Sequence, residues 1–545
     1  MTELSGIQSL ILSASRCRVS AVYGVPGFPI TDVVNAFLDS AEFSRVTEWF
    51  SNEKIALEWG LGASFSGKRA IVAVKHVGMN VLADPLMTAG IHTIGAGLVI
   101  LAGDDPEVSG SQNSQDSRYY GNLSRSPVFD PSAPQEIYDY LEQAFLISET
   151  LKLPVILRVT DAVLKDMQTI RTTKVEKSSS KLSSFECDKS IWNLRTKGRY
   201  QRSHFNNDSV LFDVASYFCD VSTVSFSNEN VGEMTGTVGT VGTVGTVGII
   251  ASGKCFARVG RVLSSLNSND ISFSSVAVMK LGIVSPLSVL DIRFFLEKYE
   301  TVLVVEESEP VIEDQIRIFG NVLGKRTGHL PFGNVTDADI LSALKNSNAA
   351  SVFRPFDADV FQRDLAGLDF CGDRLYPRFY EMLGAVKAET GAMISGDIGC
   401  LMHGIVPPCS VLDSAVSLGA GIGIGSGVSR SSCRKSIVVI GDFGFSHSGL
   451  LSLAEAAEKG VSLLVYIMHN SAAAMTGGQK TSDPEELIRA VLLNSKVWLS
   501  SFYSCSFDVS AFSDDFDADM EKLRVLSLNE MEKEGITVIV VRWNP

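Results

Sequence analysis

Short apolar runs recur along the chain and alternate with amphipathic stretches. In the first third these runs are Val19–Tyr23, Ala70–Val74 and Leu98–Leu101, and each leads into a loop that contains Gly, Pro or Asp. Continuous apolar runs of this length are typical of parallel strands that are buried on both faces. Residues 1–165 are therefore predicted to form a doubly wound α/β domain with functional loops at the carboxyl edge of its sheet.

Two later regions repeat this pattern, so residues 248–355 and 356–545 are each predicted to form a further α/β domain. Residues 166–247 show weak periodicity, and four copies of Thr-Val-Gly run from residue 237 to residue 248. A period of three residues matches no repeat architecture, so residues 166–247 are predicted to be a linker and low-complexity region with a mobile loop. The later apolar runs are Gly248–Ala251, Thr301–Val305, Ser436–Ile440, Val461–Met468 and Ile536–Val541.

Composition excludes several classes of function. With 545 residues, 20% of them charged, and a net charge of −15, the chain predicts a multidomain globular protein that does not bind nucleic acid. No signal peptide and no apolar stretch of about 18 residues is present, which predicts a cytoplasmic protein without a membrane segment. No two of the nine cysteines have C-x-x-C spacing, so we expect reduced thiols and no locally encoded zinc or iron–sulfur site.

Polar residues follow two neighbouring apolar runs of the last region. Gly441-Asp442-Phe443-Gly444 directly follows the first run, and His469-Asn470 directly follows the second, so that Asn470 comes 28 residues after Asp442. A helix is predicted between them from about Ser448. Two adjacent parallel strands would present both side chains at one edge of the sheet. With a nearby backbone carbonyl, that of Ala472, they would form a hard oxygen site for Mg²⁺ on a diphosphate. Alternatively, Asp442 caps a helix and Asn470 is a turn residue.

This spacing resembles the diphosphate motif of thiamine-diphosphate enzymes, which runs from Gly-Asp-Gly to Asn, although Phe443 departs from its commonest form. Such enzymes use a buried Glu to hydrogen-bond the aminopyrimidine and activate the cofactor. In Asn52 to Glu58, which precedes the small residues Gly60 to Ser64, Glu53 rather than Glu58 matches that position. The alternative for Glu53 is a solvated carboxylate near a helix N-terminus.

Several longer strings between residues 6 and 542 resemble the large (alpha) subunit of indolepyruvate ferredoxin oxidoreductase. The resemblance implies a pyrimidine-binding domain in residues 1–165, a transketolase-C-like domain in 248–355 and a diphosphate- and Mg²⁺-binding domain in 356–545. The cofactor site would then form at an interface between the outer domains, either within one chain or across a dimer. The strings are Lys75 to Thr88, Gly103 to Pro106, Ser111 to Tyr120, Gly396 to Cys400, Phe445 to Gly449 and Ala474 to Gly477.

The same resemblance implies oxidative decarboxylation of an aryl 2-oxo acid of the indolepyruvate type, with coenzyme A as co-substrate. Lys75, His76 and Asn80 would act with Glu53 in catalysis, and Gln112 and Asp116 would line the active site. Cys400 has the equal alternative of a small buried apolar residue. The cofactor would be thiamine diphosphate with Mg²⁺, and the residues implied to bind it are Gly399, Cys400, Gly441, Asp442, Phe443, Asn470, Ala472, Met475 and Thr476, with His447 in the same motifs.

Members of this family usually continue into a ferredoxin-like domain with clustered cysteines, whereas no cysteine follows Cys505 here. We therefore expect that no iron–sulfur cluster is encoded in this chain. Electrons would pass to an external ferredoxin through a partner, with a small (beta) subunit and a dimer of complexes implied by the resemblance. The alternatives are a non-oxidative decarboxylase or carboligase, and a non-catalytic subunit. Retention of Glu53, Asp442 and Asn470 together argues against the last of these.

Overall fold

The computed structural model shows two compact units, Met1–Pro355 and Phe356–Pro545. Within the described ranges, no helix has both the length and the apolar composition needed to cross a bilayer. The structure describes residues 2–91, 94–172, 211–225, 246–266, 275–349, 351–352, 375–405, 407–491, 499–507 and 514–543.

The first unit contains a seven-stranded sheet, a five-stranded sheet and a two-stranded ribbon. The strands are β1 (Thr2–Ser5), β2 (Ala21–Gly24), β3 (Thr47–Trp49), β4 (Ala70–Lys75), β5 (Leu98–Asp104), β6 (Val128–Phe129), β7 (Val155–Thr160), β8 (Met167–Ile170), β9 (Cys219–Ser225), β10 (Thr246–Ser252), β11 (Ser275–Leu281), β12 (Ile283–Ser285), β13 (Val302–Val305) and β14 (Val322–Leu323). The helices are α1 (Gly6–Arg16), α2 (Ile30–Asp39), α3 (Glu53–Phe65), α4 (His76–Val81), α5 (Ala83–Ile91), α6 (Tyr119–Ser124), α7 (Pro134–Leu151), α8 (Asp161–Leu164), α9 (Gly253–Ser265), α10 (Val289–Lys298), α11 (Val311–Ile316) and α12 (Asp337–Lys345).

The larger sheet has the order β12-β6-β7-β5-β4-β2-β3, and every pair except β12–β6 is parallel. Its central strands are buried on both faces. Ile71 and Ala73 of β4 face a core formed with α1, α2 and α7. Val72, on the other face, packs against α3 at Gly60, where a β-carbon would lie only 2.6 Å from the valine Cγ2 atom. Helices on both faces explain why these strands are continuous apolar runs rather than alternating ones.

The smaller sheet has the order β14-β13-β10-β11-β9, with β9 antiparallel at its edge. Strand β12 follows β11 in the chain but joins the larger sheet through β6. Two strands of the predicted linker, residues 166–247, belong to these assemblies: β8 pairs with β1, and β9 pairs with β11. Burial of Val224 in the core of the smaller sheet accounts for β9. Most of the Thr-Val-Gly repeat lies outside the described residues.

The second unit contains one parallel sheet in the order β15-β16-β17-β21-β20 and a short hairpin of β18 and β19. Its strands are β15 (Ile394–Ser395), β16 (Ser436–Gly441), β17 (Leu463–His469), β18 (Ala472–Ala473), β19 (Gln479–Lys480), β20 (Leu499–Phe507) and β21 (Ile536–Trp543). The helices are α13 (Leu375–Thr390), α14 (Gly421–Ser432), α15 (Asp442–Gly444), α16 (Leu450–Glu458), α17 (Pro484–Val491) and α18 (Asp514–Met531), with a π-helical turn (Phe445–Gly449) and two 3₁₀ turns (Gly399–Gly404, Ala474–Thr476).

Alternate residues of the buried strands in the second unit face opposite cores. Ile437 and Val439 pack with α13 and α18, whereas Val438 and Ile440 pack with α14 and α16. The prediction of an α/β fold with doubly wound parallel sheets is confirmed in both units.

Candidate functional site

Three neighbouring strands of the second unit deliver polar side chains to one edge of the sheet. β15, β16 and β17 are adjacent and parallel, and they lead to Asp397, Asp442 and Asn470. In open α/β sheets, ligands bind outside the carboxyl ends of the strands. This edge is the candidate cofactor site of the second unit.

Asp442 is buried, with 3% of its surface exposed, and one of its carboxylate oxygens accepts several hydrogen bonds. Oδ2 accepts from the backbone N of Ser471 at 3.0 Å and from the hydroxyl of Thr481 at 2.7 Å, and it lies 2.8 Å from Nδ1 of His469. Oδ1 accepts from the backbone N of Phe443 at 2.7 Å. A carboxylate oxygen has two lone pairs, so within the described residues Oδ1 retains capacity for one further ligand.

Asp442 is also the first residue of a helix. α15 continues through the π-helical turn into α16, so the helical segment begins six residues before Ser448, where the sequence predicted its start. Gly441 is the capping residue and Asp442 follows it. A helix start directly after a strand turns backbone N–H groups toward the sheet edge, where they favour an anion such as a phosphate.

Asn470 forms a turn at the same edge. Its Oδ1 accepts from the backbone N of Ala472 at 3.1 Å, and Ser471 between them has a φ of 63°. The turn leads into the β18–β19 hairpin, which returns the chain so that the backbone N of Thr481 donates to the carbonyl of Ser471 at 3.2 Å. Asn470 is thus a turn residue, as the alternative interpretation held, and its second Oδ1 lone pair is compatible with metal binding as well.

Asp397 ties the start of α14 to the helix that begins at Asp442. Its carboxylate accepts from the backbone N of Ile398 at 2.8 Å and from that of Gly419 at 2.9 Å. A β-carbon on Gly444 would lie 2.1 Å from its Oδ2, so only glycine fits there. Burial raises the pKa of the Asp397 carboxyl to about 7, opposed by the two backbone N–H groups and by His447.

The residues at this edge fit a magnesium diphosphate group. The available donors, Asp442 Oδ1 and Asn470 Oδ1, are hard oxygens of the kind that Mg²⁺ prefers. A β-carbon built on Gly441 would meet no atom within 4 Å, so the backbone beside Asp442 borders open space. Both the chemistry of the donors and the available room therefore suit the group.

The first unit carries the other predicted residues. Glu53 is the first residue of α3, and the Asn52 side chain caps this helix by accepting from the backbone N of Lys54 at 3.0 Å. Only 5% of Glu53 is exposed. Its side chain packs against Gly78 of α4, where a β-carbon would lie 2.7 Å from Oε1. Glu53 is thus a buried carboxyl group and not the solvated carboxylate of the alternative interpretation.

Lys75 and His76 lie at the carboxyl end of β4. The aliphatic part of Lys75 crosses Gly27, whose β-carbon would lie 2.6 Å from the lysine Cδ. Burial lowers the pKa of Lys75, and the carboxylates of Asp105 and Glu53 oppose that effect. Burial also lowers the pKa of His76, which is 1% exposed. Lys75 is therefore a half-buried base and His76 a buried one, and both lie close to carboxylates.

Asn80 and Asp116 hold a loop in place. Asn80 is exposed, its Nδ2 donates to Gln115 Oε1 at 2.8 Å, and its Oδ1 accepts from the hydroxyl of Tyr120. Asp116 is buried and accepts from Arg118 Nε at 2.9 Å and Nη2 at 2.6 Å. Burial acts to raise the pKa of Asp116, but Arg118 outweighs it and the pKa is lowered. Arg118 therefore contacts both oxygens of Asp116, and the expectation that this carboxylate lines the active site stays a prediction.

Arg118 belongs to a buried ionic network that joins the two sheets of the first unit. Its Nη1 donates to Glu306 Oε2 at 2.8 Å. Nearby, Arg158 of β7 donates from Nε to Asp104 at 2.7 Å and from Nη1 to Asp130 at 2.8 Å and Glu307 at 3.3 Å. Burial raises the pKa of Glu306 to about 7, opposed by Arg118. In the sequence, Glu306 and Glu307 are visible only as acidic residues directly after the apolar run Thr301–Val305.

Other predicted residues of the second unit lie in two 3₁₀ turns. Gly399, with a φ of 90°, begins a 3₁₀ turn, and Met475 and Thr476 belong to another. Six described cysteines have free thiols, but Cys400 is disulfide-bonded. The expectation of reduced thiols is therefore wrong at Cys400.

Comparison with known proteins identifies the family to which this chain belongs. The family model for the C-terminal TPP-binding domain of thiamine pyrophosphate enzymes matches residues 397–522, and the model for an indolepyruvate oxidoreductase domain matches residues 238–340. The indolepyruvate oxidoreductase subunit IorA of Methanothermobacter thermautotrophicus is 30% identical over 494 residues, which are 87% of this chain and 76% of that protein. The chain belongs to the IorA family.

Other known proteins are also similar to this chain. IorA of Archaeoglobus fulgidus is 29% identical over 493 residues, which are 87% of this chain and 76% of that protein. Among solved structures, the 2-oxoglutarate:ferredoxin oxidoreductase of Magnetococcus marinus is 15% identical, with a TM-score of 0.47, over 64% of this chain and 65% of that chain. The resemblance stated from the sequence motifs is confirmed by the IorA relatives.

Two residues of this IorA-family chain escaped the sequence analysis as partners of Asp442. His469 directly precedes Asn470 at the end of β17, so its position at the sheet edge was accessible from the strand pattern. Thr481 lies 39 residues from Asp442 and reaches it only through the register of the β18–β19 hairpin. No sequence signal marked that register.

Proposed function

We propose that this chain is the catalytic subunit of an indolepyruvate-type 2-oxo acid oxidoreductase that uses thiamine diphosphate and Mg²⁺. The reaction would convert an aryl 2-oxo acid and coenzyme A into an acyl-CoA, CO₂ and two electrons. The observation that carries this proposal is membership of the IorA family, with the thiamine pyrophosphate domain match spanning both Asp442 and Asn470. When bound, the cofactor supplies a nucleophilic carbon and an electron sink for loss of CO₂.

In the second unit, Asp442, Asn470 and the carbonyl of Ala472 would hold Mg²⁺. The bonds from His469, Ser471 and Thr481 all go to Oδ2 of Asp442. They fix the plane of the carboxylate and would leave Oδ1 to hold the ion, as outer partners of metal ligands commonly do. The remaining residues proposed to contact the cofactor are Gly399, Cys400, Gly441, Phe443, Met475 and Thr476.

In the first unit, Glu53 would act on the aminopyrimidine ring. A carboxyl group that is 5% exposed has little access to water, so with the cofactor bound it would keep a hydrogen bond to the ring nitrogen. Its task is to hold a proton at that bond, which favours the imino tautomer of the ring. Gly78 makes this position possible because a β-carbon there would lie 2.7 Å from Oε1 of Glu53 and would displace its side chain.

Lys75 and His76 would bind and orient the 2-oxo acid. The ammonium group of Lys75 suits the substrate carboxylate, and its lowered pKa follows from burial that also excludes water. Asn80, which the resemblance also implied, would act by holding Gln115 and Tyr120 of the neighbouring loop. The shape of the substrate-binding pocket would then select the side chain of the 2-oxo acid.

The electrons would leave through a small partner subunit and an external ferredoxin or other iron–sulfur protein, with a dimer of complexes as the working assembly. Within the chain, we propose residues 1–165 for the pyrimidine-binding domain, 248–355 for a transketolase-C-like domain and 356–545 for the diphosphate-binding domain. Residues 166–247 connect the first two.

The test is product analysis with the purified full chain, with and without the small subunit. Indolepyruvate or phenylpyruvate is supplied with thiamine diphosphate, Mg²⁺ and coenzyme A, and ferredoxin or a viologen is varied. Acyl-CoA that forms only with an acceptor supports the proposal. Aldehyde or hydroxyketone formed without an acceptor would instead place the chain among non-oxidative decarboxylases or carboligases. No product of either kind would refute catalysis. Asp442→Asn should abolish turnover, and Asp517→Asn on the exposed face of α18 should not.

A further inference from the structure

The two ring nitrogens of His76 have different surroundings. Nε2 lies 3.3 Å from Oδ1 of Asn113, a residue of the loop between β5 and α6. Nδ1 is buried and, within the described part of the chain, has no hydrogen-bond partner. An unpartnered ring nitrogen in a fully buried histidine is costly unless a ligand completes the bond.

The amide oxygen decides which nitrogen carries the proton. A carbonyl oxygen only accepts hydrogen bonds, so Nε2 must be the N–H. Burial lowers the pKa of His76, and a neutral imidazole has a single N–H. Nδ1 is therefore left as a lone pair that can accept a hydrogen bond or a proton.

The charged groups that face His76 do not compete for Nδ1. They are Lys75, which lowers the pKa of His76, and Asp104 and Asp105, which raise it. The carboxylate of Asp104 is used by Ser117 and Arg158. That of Asp105 accepts from Ser109 and Gly110.

Both ends of the loop that carries Asn113 are anchored. At one end, Asp105 accepts from the backbone N of Ser109 at 3.1 Å and of Gly110 at 2.9 Å. At the other end, Arg118 binds Asp116. The segment between them carries Asn113, an exposed residue whose amide oxygen contacts Nε2 of His76 at the start of α4.

We propose that Asn113 is a positioning residue that holds His76 in the Nε2–H tautomer and thereby presents the Nδ1 lone pair to the bound 2-oxo acid or cofactor. The inference rests on the proposed function for its catalytic consequence, but not for the tautomer itself. It assigns a role to a loop residue that the sequence motifs did not distinguish from its polar neighbours.

The first test observes the tautomer without any cofactor. The chain has seven histidines, so ¹⁵N-histidine labelling and a two-bond ¹H–¹⁵N correlation spectrum give few signals, and His76→Gln identifies the one from His76. We expect a protonated Nε2 and an unprotonated Nδ1 in the wild-type chain. A protonated Nδ1 would overturn the proposal, whether or not the protein turns over any 2-oxo acid.

The second test uses two substitutions of Asn113 in the oxidoreductase assay. Asn113→Leu removes the acceptor at similar size, so the tautomer preference should be lost and kcat should fall about 10- to 100-fold. Asn113→Asp keeps an acceptor, so the tautomer and most of the rate should survive. Its added charge should raise the His76 pKa and move the acidic limb of the kcat/KM profile up by about one pH unit.

The control is Glu107→Gln, an exposed residue of the same loop, which should change neither the spectrum nor the profile. A wild-type rate in Asn113→Leu together with a lost tautomer preference would show that the tautomer does not matter for the reaction. An equal loss of rate in Asn113→Leu and Asn113→Asp, with both spectra unchanged, would assign Asn113 a merely structural role. If the wild-type chain turned over no 2-oxo acid, the proposed function would be refuted. The spectrum alone would then decide whether His76 has the Nε2–H tautomer.

Discussion

Replacing Gly78 with alanine should disable Glu53 while leaving the first unit folded. A β-carbon at residue 78 would lie 2.7 Å from Oε1, 2.8 Å from Cγ and 3.1 Å from Cδ of Glu53. Ordinary contacts to a β-carbon begin at 3.4 Å, so the Glu53 side chain must move by about 0.7 Å. Because Cγ is involved as well as the terminal oxygen, rotation of the carboxyl group alone does not relieve the overlap.

The cost to folding should be small and the cost to activity large. Overpacking of this size costs about 1–3 kcal/mol, and the better helix propensity of alanine in α4 offsets about 1 kcal/mol of it. The free energy of unfolding should therefore fall by about 2 kcal/mol or less. A catalytic group misplaced by about 1 Å can lose about 100-fold in rate, so we expect kcat to fall between 10- and 100-fold for Gly78→Ala.

The assay is viologen reduction with indolepyruvate, coenzyme A, thiamine diphosphate and Mg²⁺, with urea unfolding measured in parallel. The matched control is Gly62→Ala, because Gly62 is in the same helix as Glu53 and its β-carbon would meet no atom within 4 Å. That variant should be as active as the wild type and slightly more stable. In a Glu53→Gln background, Gly78→Ala should add little further loss, since both changes act on one group.

Two results would refute this reasoning. One is a Gly78→Ala variant with the full rate, which would mean that Glu53 is not the activating residue or that its position is not critical. The other is full additivity of Gly78→Ala and Glu53→Gln, which would place the effect of residue 78 elsewhere.

Three further predictions concern other buried charges. Asp442→Asn should weaken Mg²⁺-dependent binding of thiamine diphosphate about 100-fold in calorimetry, because a charged metal ligand is lost, and unchanged affinity would contradict the Mg²⁺ assignment. Arg158→Met should lower the free energy of unfolding by about 3–5 kcal/mol in urea, because Asp104 and Asp130 lose their counter-ion; a loss below about 1 kcal/mol would be inconsistent with this network. The Asp397 pKa is raised to about 7, so the native state holds a proton that the unfolded state releases above about pH 4. Stability should therefore decline between about pH 4 and 7 by up to about 4 kcal/mol, and Asp397→Asn should remove that decline.

The elements that the sequence predicted well are those whose residues are buried on both faces. β4 and β16 match the predicted apolar runs because every residue of such a strand is in a core, which leaves a continuous signal. The proximity of Asp442 and Asn470 was predictable for a related reason. A strand, a helix and a second strand in succession form a parallel pair, and the order of strands in the second unit has β16 beside β17.

The features that could not be predicted depend on contacts between distant side chains. Arg158 and Glu307 are 149 residues apart, and nothing in either local sequence indicates that they meet. The helix at Asp442 begins earlier than expected because Gly441-Asp442-Phe443-Gly444 has two glycines, which weaken a helical signal. The ion pair between Asp116 and Arg118 was not predicted either, because the spacing of two residues does not show which side chains meet in a loop.

Strand β12 makes the two sheets of the first unit depend on each other for folding. Because Ile283 to Ser285 leave the smaller sheet and close the free edge of β6, the two sheets share one segment of chain. Dividing the gene near residue 248 would therefore not give two fragments that fold independently. The first fragment would expose the unpaired edge of β6 to other chains, and β12 of the second fragment would have no strand to pair with. The two sheets should consequently melt in a single cooperative transition, and any shuffling of this region between relatives should succeed only when it transfers residues 1–355 together.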